Sequence, residues 1–380
     1  MTEPPPLAVY LHWPYCARIC PYCDFNVYRD RSRAEEQGRL IGAMLADLSN
    51  QAERTGPRRL ASIFFGGGTP SLMPPDAAAD LIMAIRARFP PTEAVEITLE
   101  ANPTDAETAR YRAFAEAGIN RLSLGVQSLD DAALKFLGRD HSAAEARRAV
   151  EAAQATFGRV SIDLIYARPD QTAAAWRSEL EATIALGPEH VSPYQLTIEA
   201  DTAFGKAHGR GTLVPPDEDA QEDLYDLTQA ILTEAGFDAY EVSNHARGQA
   251  AQSVHNLNVW RGMDYLGIGP GAHGRLTLAG ARTATVAHRR VADYIAAVST
   301  SGLGWAETDP LSSLEAAEER LMLGLRTTEG VALSELAPLD LTARIAELSR
   351  GGFTSLDHGH LTATPRGRKV LDAVIRALLV

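Results

Sequence analysis

The sequence predicts an α/β protein built on a parallel sheet, with a smaller α+β module at its C-terminal end. Three observations carry this. Apolar runs of strand length recur through the first two hundred residues. Amphipathic stretches of helical period separate them. From residue 306 onward helices dominate, interrupted by one hairpin pattern.

The strand runs are residues 7–12, 60–65, 95–100, 120–126, 160–166 and 191–196. Helical patterns occupy 33–51, 75–89, 106–117, 143–156 and 173–186. Strands alternating with helices imply βαβ units and hence parallel pairing. In such sheets chemistry gathers in the loops at the C-terminal strand ends, which vary freely on a rigid base. A further helix is expected over 215–236, followed by a connecting region. The last part reads as helices at 313–325, 333–336 and 341–351, then a hairpin of 353–356 with 360–364, then a helix over 366–379. The expected division is 1–240, 241–305 and 306–380.

A chain of 380 residues suits one large domain and a smaller one, and 45% hydrophobic residues supply both cores. No apolar run reaches the roughly twenty residues that span a bilayer. The start, Met1-Thr2-Glu3-Pro4-Pro5-Pro6, lacks a positive flank and an apolar core, so the chain reads as cytoplasmic. Unpaired thiols agree with a reducing compartment. A net charge of −13 argues against nucleic-acid binding, which needs a basic footprint. It leaves peripheral membrane contact open.

All three cysteines fall in Cys16-Ala17-Arg18-Ile19-Cys20-Pro21-Tyr22-Cys23. Three thiolates cannot close a four-sulfur zinc site, and an odd number leaves no complete disulfide framework. Three thiolates can hold an iron–sulfur cube by three corners, leaving one iron open to an outside molecule. A zinc knuckle completed by a distant histidine, or plain buried cysteines, are the alternatives at this point.

With Tyr10-Leu11-His12-Trp13-Pro14-Tyr15 ahead of this cluster and Asp24-Phe25-Asn26 after it, the segment resembles the signature of the radical S-adenosylmethionine (SAM) superfamily. More narrowly it resembles the branch containing oxygen-independent coproporphyrinogen III oxidase and the HemW-type heme chaperones. The resemblance extends over nearly the whole chain. It implies a partial (βα)6 TIM-like barrel with a winged-helix-like C-terminal domain. It also implies a [4Fe-4S] cluster on Cys16, Cys20 and Cys23 that passes an electron to the SAM sulfonium.

Other strand ends then gain a reading. Gly66-Gly67-Gly68-Thr69-Pro70 follows the second strand, and its glycines would let the backbone approach a ligand and expose N–H groups. By resemblance, Gly67, Gly68 and Thr69 hold the amino end of SAM. Glu100 ends the third strand and could accept from an ammonium or ribose hydroxyls. Gln127 ends the fourth, and Arg139 could pair bidentately with the SAM carboxylate. Asp163 is a charge in an otherwise apolar strand, costly there unless paired. Tyr10 and Tyr22 match SAM-proximal positions of the family. Each could instead be a strand-end polar group or a packing residue.

In the connecting region, His255-Asn256 followed by Val259-Trp260 resembles a motif of the heme-chaperone branch, with Val259 where the family has tyrosine. Neutral imidazole is a normal heme ligand, so His255 is the expected axial ligand. His273, between Gly271 and Gly274, is a second candidate contact. A satisfied structural histidine is the alternative for each.

Three functions are in view: a heme chaperone delivering heme to respiratory-type hemoproteins, a coproporphyrinogen III oxidase, and a simple electron carrier. A carrier needs no SAM-type loop. The oxidase branch has a further cysteine at the position of Phe25 and an N-terminal extension ahead of the first strand. Neither is expected here, and the chaperone reading follows.

Overall fold

The computed structural model describes residues 4–31 and 34–379. The reading of residues 1–3 and the expected helix start at residue 33 lie outside the described residues.

Twelve strands form one mixed sheet. They are β1 (Pro6–Trp13), β2 (Arg59–Gly67), β3 (Pro91–Ala101), β4 (Arg121–Gln127), β5 (Arg159–Tyr166) and β6 (His190–Gln195), then β7 (Asp238–Ala239), β8 (His245–Ala246), β9 (Tyr265–Ile268), β10 (His273–Leu278), β11 (Ala281–Ala287) and β12 (Trp305–Pro310). Their order is β12-β11-β10-β9-β1-β2-β3-β4-β5-β6-β8-β7. The six expected strands pair in parallel, in sequence order. A seventh joins them, because β9 pairs in parallel with β1 and sets Tyr10 opposite Gly267. Antiparallel strands extend both ends.

Side-chain alternation explains why this sheet can host chemistry. Leu7, Val9 and Leu11, then Ile63 and Phe65, Ile97 and Leu99, Leu122 and Leu124, and Ile162 and Leu164 are all buried in one core with Leu40, Met44, Leu81, Val150 and Trp176 of the covering helices. The intervening positions carry His12, Ser62, Glu96, Thr98, Arg121, Ser123, Ser161, His190 and Ser192, all buried and polar. Period two therefore puts apolar side chains toward the helices and polar ones on the inner face.

Two corrections concern elements. The helix expected over 106–117 divides into Asp105–Thr108 and Tyr111–Glu116, the first capped by the Thr104 hydroxyl. The closing helix breaks at Val370, giving Pro365–Lys369 and Leu371–Leu379. The connecting region is not plain linker. It contains the β10–β11 hairpin, whose turn residues Ala279 and Gly280 both have positive φ, as two-residue hairpin turns require.

The C-terminal part has its own core, including Leu321, Leu325, Leu336, Leu361 and Leu378. Its three short strands, β13 (Val331–Ala332), β14 (Thr354–Asp357) and β15 (His360–Ala363), order as β13-β15-β14 beside helices Ser313–Gly324 and Thr342–Arg350. Among the described residues no helix is long and apolar enough to cross a membrane.

Candidate functional site

A cavity of 440 Å³ opens at the C-terminal ends of β2 to β6, within the size range of small-molecule sites. The cysteine loop forms one wall. Short pairing of Tyr15 with Tyr28 and Cys16 with Arg29 anchors that loop. Asn26, just after it, donates to the carbonyls of Pro270 and Arg289. Cys16, Cys20 and Cys23 all line the cavity and are free thiols. Burial pushes the Cys16 thiol up to about 12, against the lowering effect of the Thr69 hydroxyl. Among the described residues no three His, Cys, Asp or Glu side chains form a ready cage for a single ion. The three thiols flank a common space instead.

The glycine loop forms the adjoining wall, and the expectation about its N–H groups is corrected here. Gly67 N–H donates to Glu100 Oε2 at 3.2 Å. Those of Gly68 and Thr69 donate to the carbonyls of Trp13 and Tyr15 at 2.7 and 2.8 Å. These donors are spent within the protein, the first on β3 and the other two on the segment that leads into Cys16. The glycines have a packing reason: a Cβ on Gly68 would stand 2.7 Å from the Tyr15 carbonyl oxygen, and one on Gly67 2.6 Å from the His12 ring.

Glu100, Gln127, Arg139, Asp163 and Tyr22 complete the expected lining. Burial, together with the Asp163 charge, raises the Glu100 carboxyl to about 8. Gln127 sits at φ 64°, where the β4–β5 register shifts. Arg139 donates to Cys20 Sγ at 3.3 Å, to the Gly125 carbonyl at 3.0 Å and to Asn102 Oδ1. Its buried Nε has no partner among the described residues. The cavity is thus lined by two acidic side chains, Glu100 and Asp163, by Arg139 and by three thiols.

Sequence reasoning missed Asn102, Tyr194 and Gln195, which also line the cavity. Asn102 bridges Arg139 and the Thr69 hydroxyl. Its signal was present in the strand-end segment after Glu100. Tyr194 follows the inward alternation of β6.

Three expected residues lie elsewhere. Tyr10 is beneath the cavity wall, its hydroxyl 2.9 Å from His12 Nδ1. His273 is exposed at the start of β10, opposite Val286, with Arg275, Arg289 and Glu307 close enough to influence its ring. The expectation that His255 stands open to an iron is corrected by its position. It is buried in helix Val254–Trp260, with Nδ1 3.0 Å from Ser62 Oγ and its ring 4.9 Å from that of Phe64. The physical reason is Glu96, whose carboxylate accepts the N–H groups of Val254 and His255 and fixes the start of this helix to the sheet interior. Burial lowers the His255 pKa to about 4, so the ring is neutral at physiological pH. Val259 is half-buried on the same helix.

Residues 10–182 match the Radical SAM superfamily and residues 311–370 the HemN C-terminal domain. The chain is 40% identical over 388 residues to Radical S-adenosyl methionine domain-containing protein 1, mitochondrial, of Bos taurus, covering 98% of this chain and 87% of that protein. It is 42% identical over 278 residues to Heme chaperone HemW of Escherichia coli (strain K12), covering 73% and 72%. The solved structure of coproporphyrinogen III oxidase (HemN) from Escherichia coli superposes with a TM-score of 0.82 at 20% identity, over 99% of this chain and 90% of that one.

Proposed function

The chain belongs to the radical SAM superfamily, in the HemN/HemW-like branch, and from that membership we propose that it is a heme chaperone, binding heme and passing it to recipient hemoproteins. Cys16, Cys20 and Cys23 would hold the [4Fe-4S] cluster, which when bound can supply an electron to the SAM sulfonium. Arg139 beside Cys20 would offset thiolate charge while its guanidinium pairs with the SAM carboxylate. The SAM ammonium would donate to Glu100 and to carbonyl oxygens of the glycine loop, whose N–H groups are already committed. Tyr22, Gln127 and Asp163 would complete the pocket. Free thiols suit a reducing compartment such as the cytoplasm.

One observation carries the choice of chaperone over oxidase. Phe25, 62% exposed, lines the mouth of the cavity at the position where the oxidase branch has a further thiol. An apolar ring there supplies no acid, nucleophile or cluster ligand, and it does offer a surface to a flat apolar molecule. For heme contact, exposed His273 is the better placed imidazole, and His255 acts as an internal brace.

The test is anaerobic incubation of the cluster-loaded chain with SAM, a reductant and coproporphyrinogen III, followed by chromatography. No vinyl products are expected. Repeated turnover to protoporphyrinogen would reject the chaperone reading in favour of the oxidase.

A further inference from the structure

Beneath the cavity, a chain of buried polar groups runs from Asp163 along the inner face of the sheet, and beyond Asp163 the proposed function leaves it unused. Asp163 lines the cavity and accepts from Ser123 Oγ at 2.9 Å and from Ser161 Oγ at 3.2 Å. Ser161 Oγ lies 2.7 Å from His190 Nδ1 and 3.1 Å from Ser192 Oγ. His190 Nε2 lies 2.7 Å from the Tyr240 hydroxyl. That hydroxyl oxygen accepts the Ser253 backbone N–H at 3.1 Å. Ser161, His190, Tyr240 and Ser253 are all buried.

Donor accounting fixes the direction of this chain. Burial, with Arg121 and Arg159 nearby, lowers the His190 pKa far below its usual value, so its ring has one donor and one acceptor nitrogen. Were Nε2 the donor, the Tyr240 oxygen would receive two N–H groups, and its own O–H would lack an acceptor among these partners. A buried donor left unmade is costly. With Nδ1 protonated every group is satisfied: Tyr240 donates to His190, His190 to Ser161, and Ser161 to Asp163.

We infer that Tyr240 and His190 are positioning residues that aim the Ser161 hydroxyl at Asp163 and so hold that carboxylate as a fixed acceptor in the cavity. The inference rests on reading Asp163 as a SAM contact. Removing the Tyr240 hydroxyl frees His190 to change tautomer. Ser161 can then donate back to the ring, and Asp163 loses a donor without any change in the cavity wall.

The experiment combines two measurements on the full chain. Nitrogen-15 NMR of histidine-labelled protein, assigned with His190→Gln, reads the ring tautomer. Equilibrium SAM binding to the cluster-loaded chain reads the consequence in Tyr240→Phe, Ser161→Ala and the double variant. Ser161→Ala is included because Tyr240→Phe also strips Ser253 of its acceptor and disturbs a helix start. The expected result is an Nδ1-protonated His190 in the parent. SAM affinity should fall about five- to tenfold in each single variant, the size of one hydrogen bond. The double variant should be no weaker than either, because both cut one chain. An Nε2-protonated His190 in the parent, or SAM affinity within twofold of the parent in both single variants, overturns the inference alone. A parent that binds no SAM overturns the proposed function and the inference with it.

Discussion

Glu96 Oε1 accepts the His255 backbone N–H at 2.9 Å, and the same carboxylate pairs with Arg159 at 2.7 Å. Glu96 lies four residues before Glu100 on β3, so the two carboxylates share the inner face about 13 Å apart. The helix bearing the heme-branch motif is thus fixed well below the cysteine cavity.

Glu96→Gln should therefore destabilise the fold. Burial alone would raise this carboxyl, but Arg121, Arg159 and the two backbone N–H groups overrule it and hold it below its usual value. Taking the carboxylate from buried Arg121, and one of several partners from half-buried Arg159, should cost about 3 kcal/mol, read by denaturant titration. A depressed folded pKa gives stability that is present above the unfolded value near 4.3 and is lost as pH falls through the folded one. The parent should show that acid loss, and the Gln variant should show less of it.

Replacing any one of Cys16, Cys20 and Cys23 by Ala should abolish the brown absorbance of anaerobically reconstituted protein. A triple alanine variant retaining its full iron would remove the cluster from this cavity.

Arg139→Ala should weaken SAM binding by about 2 kcal/mol, tens-fold in affinity, while iron content stays at the parent level. Arg139→Lys should not rescue it, because an ammonium lacks the planar fork that reaches Cys20, Gly125 and Asn102 together. Unchanged affinity in the alanine variant takes Arg139 out of the site.

His255→Ala should behave as a core lesion. It removes the Ser62 partner and the Phe64 ring contact, costing about 2 kcal/mol or more in stability. Heme affinity should remain at the parent level in folded protein. A lost heme spectrum with parent-like stability would restore His255 as the ligand.

Much of this was legible because its signals are local. The cysteine spacing, the Gly66–Gly68 run and the polar residues closing apolar strands are each read within a few positions, and strand order brings them to one cavity. What stayed hidden depends on register. Ser161, His190 and Tyr240 are far apart in sequence: the β5–β6 pairing sets Ser161 opposite His190, and the antiparallel pairing of β8 with β6 and β7 brings Tyr240 to them. The β10–β11 hairpin was hidden by composition, since Ala281, Ala284 and Ala287 dilute the strand signal of Thr283, Thr285 and Val286. For His255 the motif resembles a ligand motif, while its burial against Ser62 and Phe64 depends on Glu96, distant in sequence, which fixes the start of its helix.

Heme titration of the cluster-loaded chain, followed by its Soret absorbance, tests the central claim most directly. The account predicts saturable binding with a defined end point, weakened in His273→Ala and retained in His255→Ala. A Soret band that grows without saturation, unchanged from that of free heme, would contradict it.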